Sequence, residues 1–176
     1  MQNSVGKLPE KAIARMLATE LEEKDILPPT LGSYRRGKDT WMNAEVISYD
    51  VYDGFERGEE TVVIALDLED AYNRVQYDIL MRTLANMEIT PALILWIGRA
   101  MLKRKVALRL GTWISAACVI TPGLPQGSAL SPVLFNTVGI TSNQLEGPGR
   151  TLSFADDGMV TRTGRCRQAL ADSTQE

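Results

Sequence analysis

Residues 152–160 read LSFADDGMV, with Asp156 and Asp157 side by side in a stretch that is otherwise apolar or small. A bare carboxylate is costly to bury unless it is paired, hydrogen-bonded or bound to a metal. TLSFA and GMV read as the two arms of a tight hairpin with the aspartate pair at its turn. On its own, Asp-Asp is most often only a turn, its side chains bonded to nearby backbone N–H groups.

Working outward, TVVIAL (61–66) is a continuous apolar run rich in β-branched residues. It predicts a strand buried on both faces, with Asp67 at its end. Asp67 alone could simply cap a following helix. If the hairpin lies beside this strand, however, three carboxylates converge at one sheet edge and repel one another. A divalent cation removes that conflict. Mg²⁺ takes hard oxygen ligands and keeps positions open for water and phosphate. Two such ions about 3.5–4 Å apart clamp an attacking hydroxyl and a leaving phosphate oxygen.

The remaining elements follow from periodicity. A helix is predicted over 9–24, with Ile13, Met16, Leu17 and Leu21 inward and Pro9 in its first turn. A Pro/Gly loop follows, and then a helix over 39–56 with Met42, Val46 and Tyr49 inward. Residues 73–87 look helical through Val75, Ile79, Leu80 and Leu84, and a further helix opens at Thr90-Pro91 with Ile94, Ile97 and Met101 inward. KVALRL (105–110) alternates like a half-exposed strand, Gly111 turns, and a partner strand falls near 113–121. GLPQGS (123–128) is a loop leading into a helix from Ala129, of which Leu130, Val133, Leu134 and Phe135 are core. QALADSTQE starts a last helix. Strands and helices mix without βαβ regularity, so the fold class is α+β: an antiparallel sheet packed with helices.

Composition narrows the chemistry. The 176 residues are 44% hydrophobic and 23% charged, which is ordinary for a globular chain. There is no histidine, which removes Ser-His-Asp triads and histidine bases; catalysis must rest on carboxylates, Lys/Arg, hydroxyls or metal. Cys118 and Cys166 make neither a disulfide framework nor a zinc set. No run is long enough for a membrane span, and the N-terminus lacks the apolar region of a signal peptide, so an intracellular setting is expected. A net charge of −3 counts against a complete, self-sufficient nucleic-acid binder.

LDLEDAYNRV (66–75), GLPQGSALSPVLFN (123–136) and SFADDGMV (153–160) occur in that order. Together they resemble the reverse transcriptase family, in particular the polymerases of non-LTR retrotransposons, whose motifs read roughly LDxxxAFDxV, GxPQGSxLSPxLFN and YADD or FADD. LPPTLGSYRRGKDT (27–40) is similar to that family's fingers motif, and NSVGKLPEKAIARML (3–17) to the helix before it. The likeness spans nearly the whole sequence, and its PQGS-type motif is highly specific.

The resemblance implies RNA-directed DNA polymerase activity by two-metal nucleotidyl transfer, with RNA template, DNA primer and dNTP as partners. It implies two Mg²⁺ ions (Mn²⁺ being an alternative), and a nuclear or ribonucleoprotein location by analogy. Asp67 and Asp156 match the principal metal ligands and Asp157 a weaker third carboxylate. The Leu68 carbonyl would also face a metal. Tyr72 stands where the family has an aromatic that blocks a 2′-hydroxyl, although a core aromatic is the plainer reading. Gln126, Gly127 and Ser128 would lie against the nascent base pair and template, although the same stretch would serve as a helix-entry turn capped by Ser128. Arg35, with Arg36 and Lys38, could contact template phosphates. The same is asked of Arg99, Lys103, Arg104, Lys105 and Arg109, although a charge run is usually a solvated face.

The implied architecture is a partial right-hand polymerase. Residues 1–60 form part of the fingers, and 61–176 part of the palm with a fingers-like insertion near 85–120; the fingers are incomplete and there is no thumb. The sequence departs from the motif at Asn73, where the family has Asp. The missing upstream arginine motif and downstream palm and thumb imply little or no polymerase activity from this piece alone. Two alternatives stand beside this reading: a non-catalytic relic or domesticated nucleic-acid-binding module, and a group II intron-type maturase.

Overall fold

The computed structural model describes residues 7–102, 104–120, 123–142 and 149–165. In chain order, α1 is Lys7–Glu23, α2 Thr40–Glu56, β1 Glu60–Asp67, α3 Ala71–Arg74, α4 Tyr77–Asn86 and α5 Pro91–Met101. Four short strands follow: β2 Arg104–Val106, β3 Arg109–Leu110, β4 Trp113–Ile114 and β5 Cys118–Ile120. Then come α6 Ser131–Ser142, β6 Arg150–Phe154 and β7 Asp157–Gly164. The class is α+β, with every strand pair within the three sheets antiparallel.

Contacts divide the chain into two compact units, Met1–Ile26 with Asp70–Val138 and Leu27–Glu69 with Gly139–Glu176. The first is a helical unit around a leucine-rich core. Leu17, Leu21, Leu84, Ile97, Leu130 and Leu134 are fully buried there. α1 is inward along Glu10, Ala14, Leu17 and Leu21, a spacing of four, three and four that keeps one face. Met16, predicted inward, lies about 100° off that stripe per residue step and is 55% exposed.

The predicted helix over 73–87 is two helices. Val75 and Gln76 take extended backbone between α3 and α4. Val75, Leu80 and Leu84 are buried as expected, but Ile79 is exposed. α5 starts with Pro91 in its first turn and buries Ile97 and Met101. The strand predicted over 105–110 and its partner are each broken in two, giving separate pairs β2–β5 and β3–β4. The break falls where the Ser115 Oγ accepts from the Leu108 N–H at 2.9 Å. Most of this double hairpin is exposed. In α6, Leu130 just before the helix and Leu134 and Phe135 within it are core, while Val133 is half-buried.

The second unit is a three-stranded sheet, ordered β1-β7-β6, with α2 against it. β1 forms where predicted but is not buried on both faces. It pairs only with β7 among the described residues, and Val63 and Leu66 are more than 40% exposed. β6 is covered at its outer edge by the 27–40 loop. The Gly32 N–H donates to the Ser153 carbonyl at 2.9 Å, and the Ser153 N–H to the Thr30 carbonyl at 3.1 Å.

α2 is turned from the expected orientation: of the predicted stripe only Val46 is half-buried. Met42 and Tyr49 point outward with Trp41, Tyr52 and Phe55. The inward face mixes Val46, Ile47 and Val51 with polar and small residues. The Asn43 amide donates to the Ser153 carbonyl at 3.1 Å, and Asp50 accepts from the Thr161 hydroxyl at 2.8 Å. Arg150 lies 3.3 Å from the same Asp50 carboxylate. Gly54 is buried, and a Cβ there would sit 2.8 Å from the Thr61 Oγ1 and 2.9 Å from the Thr163 Cγ2. The sheet beneath presents threonines, whose hydroxyls need partners when covered. The final helix predicted for QALADSTQE, like Lys103 and Cys166, lies outside the described residues.

Candidate active site

The sheet register decides where the carboxylates fall. β1 and β7 run antiparallel with Asp67 opposite Asp157 as their last pair. Directly opposed residues in such a pair have their side chains on the same face, with Cα atoms about 4.5–5.5 Å apart. One rung further, the Leu68 N–H donates to the Asp156 carbonyl at 3.3 Å. The strand end therefore holds Asp67, Leu68, Asp156 and Asp157 on two adjacent segments.

The turn is not where the sequence suggested. β6 and β7 close through Phe154 opposite Asp157, so Ala155 and Asp156 form the two-residue loop. Asp157 belongs to the strand. Ala155 takes φ +57, a left-handed conformation that costs an L-residue about 1–2 kcal/mol and that glycine adopts freely.

Asp67 and Asp157 are exposed and Asp156 is half-exposed. Like charges directly opposite in a ladder destabilise it. The donors are hard oxygens of the kind Mg²⁺ prefers. Among the described residues, however, no three acidic or cysteine side chains gather closely enough to form one ligand group. The backbone placement and donor chemistry suit a hard divalent cation, while the side chains are not drawn into a formed cage.

Tyr72, Gln126, Gly127 and Ser128 lie in the helical unit, and Arg35 in the sheet unit. Tyr72, on α3, stacks on Phe135 of α6 with ring centroids 4.7 Å apart and planes 11° from parallel. α3 is tied to the loop at 123–128 by backbone bonds: the Leu124 N–H donates to the Tyr72 carbonyl at 2.7 Å and the Gly123 N–H to the Val75 carbonyl at 3.0 Å. Gly123 has φ +77, and a Cβ there would lie 2.8 Å from the Asn73 Cα. Only glycine permits that approach. Asn73 donates from its amide to the Asp70 carboxylate at 2.6 Å. An aspartate at 73 would instead set two carboxylates against each other.

Gln126 and Gly127 form the exposed tip of the loop, with Gly127 at φ +82. They line an open cleft of about 620 Å³ with Lys7, Arg104 and Lys105 on its walls. Ser128 is different. It is buried, and its hydroxyl donates to the Glu10 carboxylate at 2.7 Å while accepting from the Leu130 N–H at 3.1 Å. Its polar atoms serve the loop's own shape. Arg35, in the loop over the sheet, donates to the Pro28 carbonyl at 2.6 Å and the Leu31 carbonyl at 3.3 Å, and Lys38 donates to the Pro29 carbonyl at 2.6 Å. Both hold their own loop together, and Arg36 is the exposed cation between them.

Glu10 was missed by sequence reasoning, and Arg104 was read only as one member of a cationic run. Glu10 is an acidic residue on the buried stripe of α1, and its spacing of four from Ala14 was the available signal. Arg104 donates from Nη2 to the Gly123 carbonyl at 2.6 Å, and burial lowers its guanidinium from the ordinary arginine value.

In the sheet unit the β1–β7 ladder ends with Asp67 opposite Asp157, and in the helical unit the 123–128 loop is held against α3. Solved structures agree at the level of fold. A telomerase from Candida tropicalis with a fragment of telomeric RNA superposes with a TM-score of 0.67 at 12% identity, over 95% of this chain and 30% of that one. The apo telomerase of the same species, truncated of its C-terminal domain, gives 0.65 at 13% identity, over 95% and 36%.

The pattern of the family Reverse transcriptase (RNA-dependent DNA polymerase) matches residues 3–175, and the chain belongs to that family. Similar curated proteins include the probable RNA-directed DNA polymerase from transposon X-element of Drosophila melanogaster, 28% identical over 98% of this chain. The RNA-directed DNA polymerase from mobile element jockey of Drosophila funebris is 24% identical, also over 98%. The chain spans about a fifth of their length, 19% and 20% respectively.

Proposed function

We propose that this chain is the catalytic core segment of a retrotransposon RNA-directed DNA polymerase, extending a DNA primer with dNTPs on an RNA template. The observation that carries the reading is the register of β1 on β7, which sets Asp67 opposite Asp157 beside the Asp156 turn. Asp67 and Asp156 are the principal ligands of a divalent cation, Mg²⁺ or Mn²⁺, with Asp157 contributing more weakly and the Leu68 carbonyl facing the same site. The metal, when bound, lowers the cost of developing charge on the attacking and leaving oxygens. The Tyr72 ring, held flat against Phe135, excludes the ribose 2′-hydroxyl. Gln126 and Gly127 present the loop tip to the template base, and Arg36 and Arg35 offer charge to its phosphates.

In this reading residues 1–60 belong to the fingers and 61–176 to the palm, with a fingers-like insertion near 85–120. Names of the transposon relatives support RNA as template. By analogy with the family, the chain works inside the cell, in the nucleus or a ribonucleoprotein. Positioning carries much of such catalysis, so the 176-residue chain alone extends primers weakly or not at all.

The test is primer extension on RNA by a full-length polymerase containing this segment. Asp67→Asn and Asp156→Asn each reduce the rate by about 10³-fold or more with unchanged thermal midpoints. A normal rate in either variant removes the metal-ligand assignment.

A further inference from the structure

Charged anchors hold the loop at 123–128 at both ends. At its start, the Arg104 Nη2 donates to the Gly123 carbonyl at 2.6 Å. At its end, the Ser128 hydroxyl donates to the Glu10 Oε2 at 2.7 Å, both residues being more than nine-tenths buried. Between these points Gln126 and Gly127 stay exposed on the wall of the 620 Å³ cleft. Gly123 and Leu124 also bond to the carbonyls of Val75 and Tyr72. Fixing the loop therefore fixes α3 and the stacked Tyr72.

A carboxylate is an expensive group to bury, and a core helix gains nothing from it unless a partner requires it. Glu10 occupies a stripe position otherwise filled by Ala14, Leu17 and Leu21. Arg104 likewise spends a partly desolvated guanidinium on a backbone carbonyl. Both anchors meet the same six-residue loop from different elements, α1 and β2.

We infer that Glu10 and Arg104 are positioning residues that hold the 123–128 loop, and through it Tyr72, in the geometry that receives template and nucleotide. The functional half of this inference rests on the polymerase reading above; the structural half does not. A displacement of about 1 Å at such a site costs up to about 10²-fold in productive binding or rate. Neither residue touches a reacting atom; each acts through Gln126 and Tyr72.

Amide hydrogen exchange of residues 123–128 in this 176-residue chain tests the structural half without any activity. Glu10→Met keeps the buried volume and removes the acceptor; Glu10→Gln keeps an acceptor for the Ser128 hydroxyl. The expected result is exchange at Gly123 and Leu124 at least about tenfold faster in Glu10→Met and Arg104→Ala, with Glu10→Gln close to wild type. The α4 and α5 amides should be unchanged. Exchange in Glu10→Met equal to wild type overturns the inference.

Fluorescence anisotropy with an RNA–DNA primer–template then separates the two readings. Loss of about tenfold in affinity by Glu10→Met, with rescue by Glu10→Gln, supports positioning. A loosened loop with unchanged affinity refutes its functional half. A full-length polymerase containing this segment that keeps the loop protected yet has no affinity for the hybrid counts against the polymerase reading and leaves the anchoring itself established.

Discussion

The two units of this chain are held together by different means. The helical unit is closed by leucines: Leu17, Leu84, Ile97 and Leu134 are wholly buried, and polar contacts serve mainly to pin the 123–128 loop. The sheet unit has a smaller apolar core, with Leu31 and Leu152 buried, and adds hydrogen bonds to it. α2 meets β1 and β7 through Asp50, Thr61, Thr161 and Thr163, with Gly54 letting the backbone in. Apolar packing tolerates sliding and repacking, whereas a hydrogen-bonded interface fixes one arrangement. The unit that sets Asp67 opposite Asp157 is the one built with less slack.

The contrast is sharpened first in the leucine core. Leu84→Ala or Leu134→Ala is expected to cost about 2–5 kcal/mol, read from denaturant unfolding. A loss under about 1 kcal/mol would mean that the helical unit is not organised around these side chains. Next, Gly54→Ala forces a methyl against Thr61 and Thr163 and should cost about 1–3 kcal/mol. Adding Thr163→Ser removes the Cγ2 that the new methyl meets and should restore part of the loss. Strict additivity in that double-mutant cycle would show that the helix and sheet are not in the contact described.

The smallest effect concerns pH in the helical unit. The Glu20 carboxylate accepts from the Thr90 N–H at 2.9 Å and pairs with Lys24, which also donates to the Glu88 carbonyl. Burial pushes the Glu20 carboxyl up, but the hydrogen bonds from Lys24 and Thr90 and the Lys24 charge outweigh it. The group titrates below the ordinary glutamate value. Its folded value is depressed, so the stability it adds is present above the ordinary glutamate range and is lost as pH falls through the depressed value. Glu20→Gln should therefore flatten the acid side of a thermal-midpoint-versus-pH curve by a small amount, because the pair is largely solvent-screened. An unchanged acid limb would remove this tie.

The motifs were legible because they combine rare residue types at fixed spacing. The hairpin around Asp156, the strand ending at Asp67 and the loop at 123–128 all lie where periodicity and turn chemistry put them. The error of one residue at the turn came from treating Asp-Asp as the loop, when Ala155 takes the left-handed position. The orientation of α2 was not legible. A helix reading assigns aromatics inward, and nothing local reveals that the covered sheet face carries threonines 11 and 111 positions from Asp50. The burial of Glu10 was hidden for the same reason: its partner Ser128 is 118 residues on.

Gly54, Thr61 and Thr163 have a consequence for how such a sequence can diverge. With the Gly54 Cα already at closest approach, volume added at any of the three must be given up at another. Single steps are blocked while paired steps remain open. The three positions should drift as a set, changing together or not at all. The spacing of helix to sheet, and with it the alignment of Asp67 on Asp157, is then inherited through coupled substitution rather than through the persistence of any one side chain.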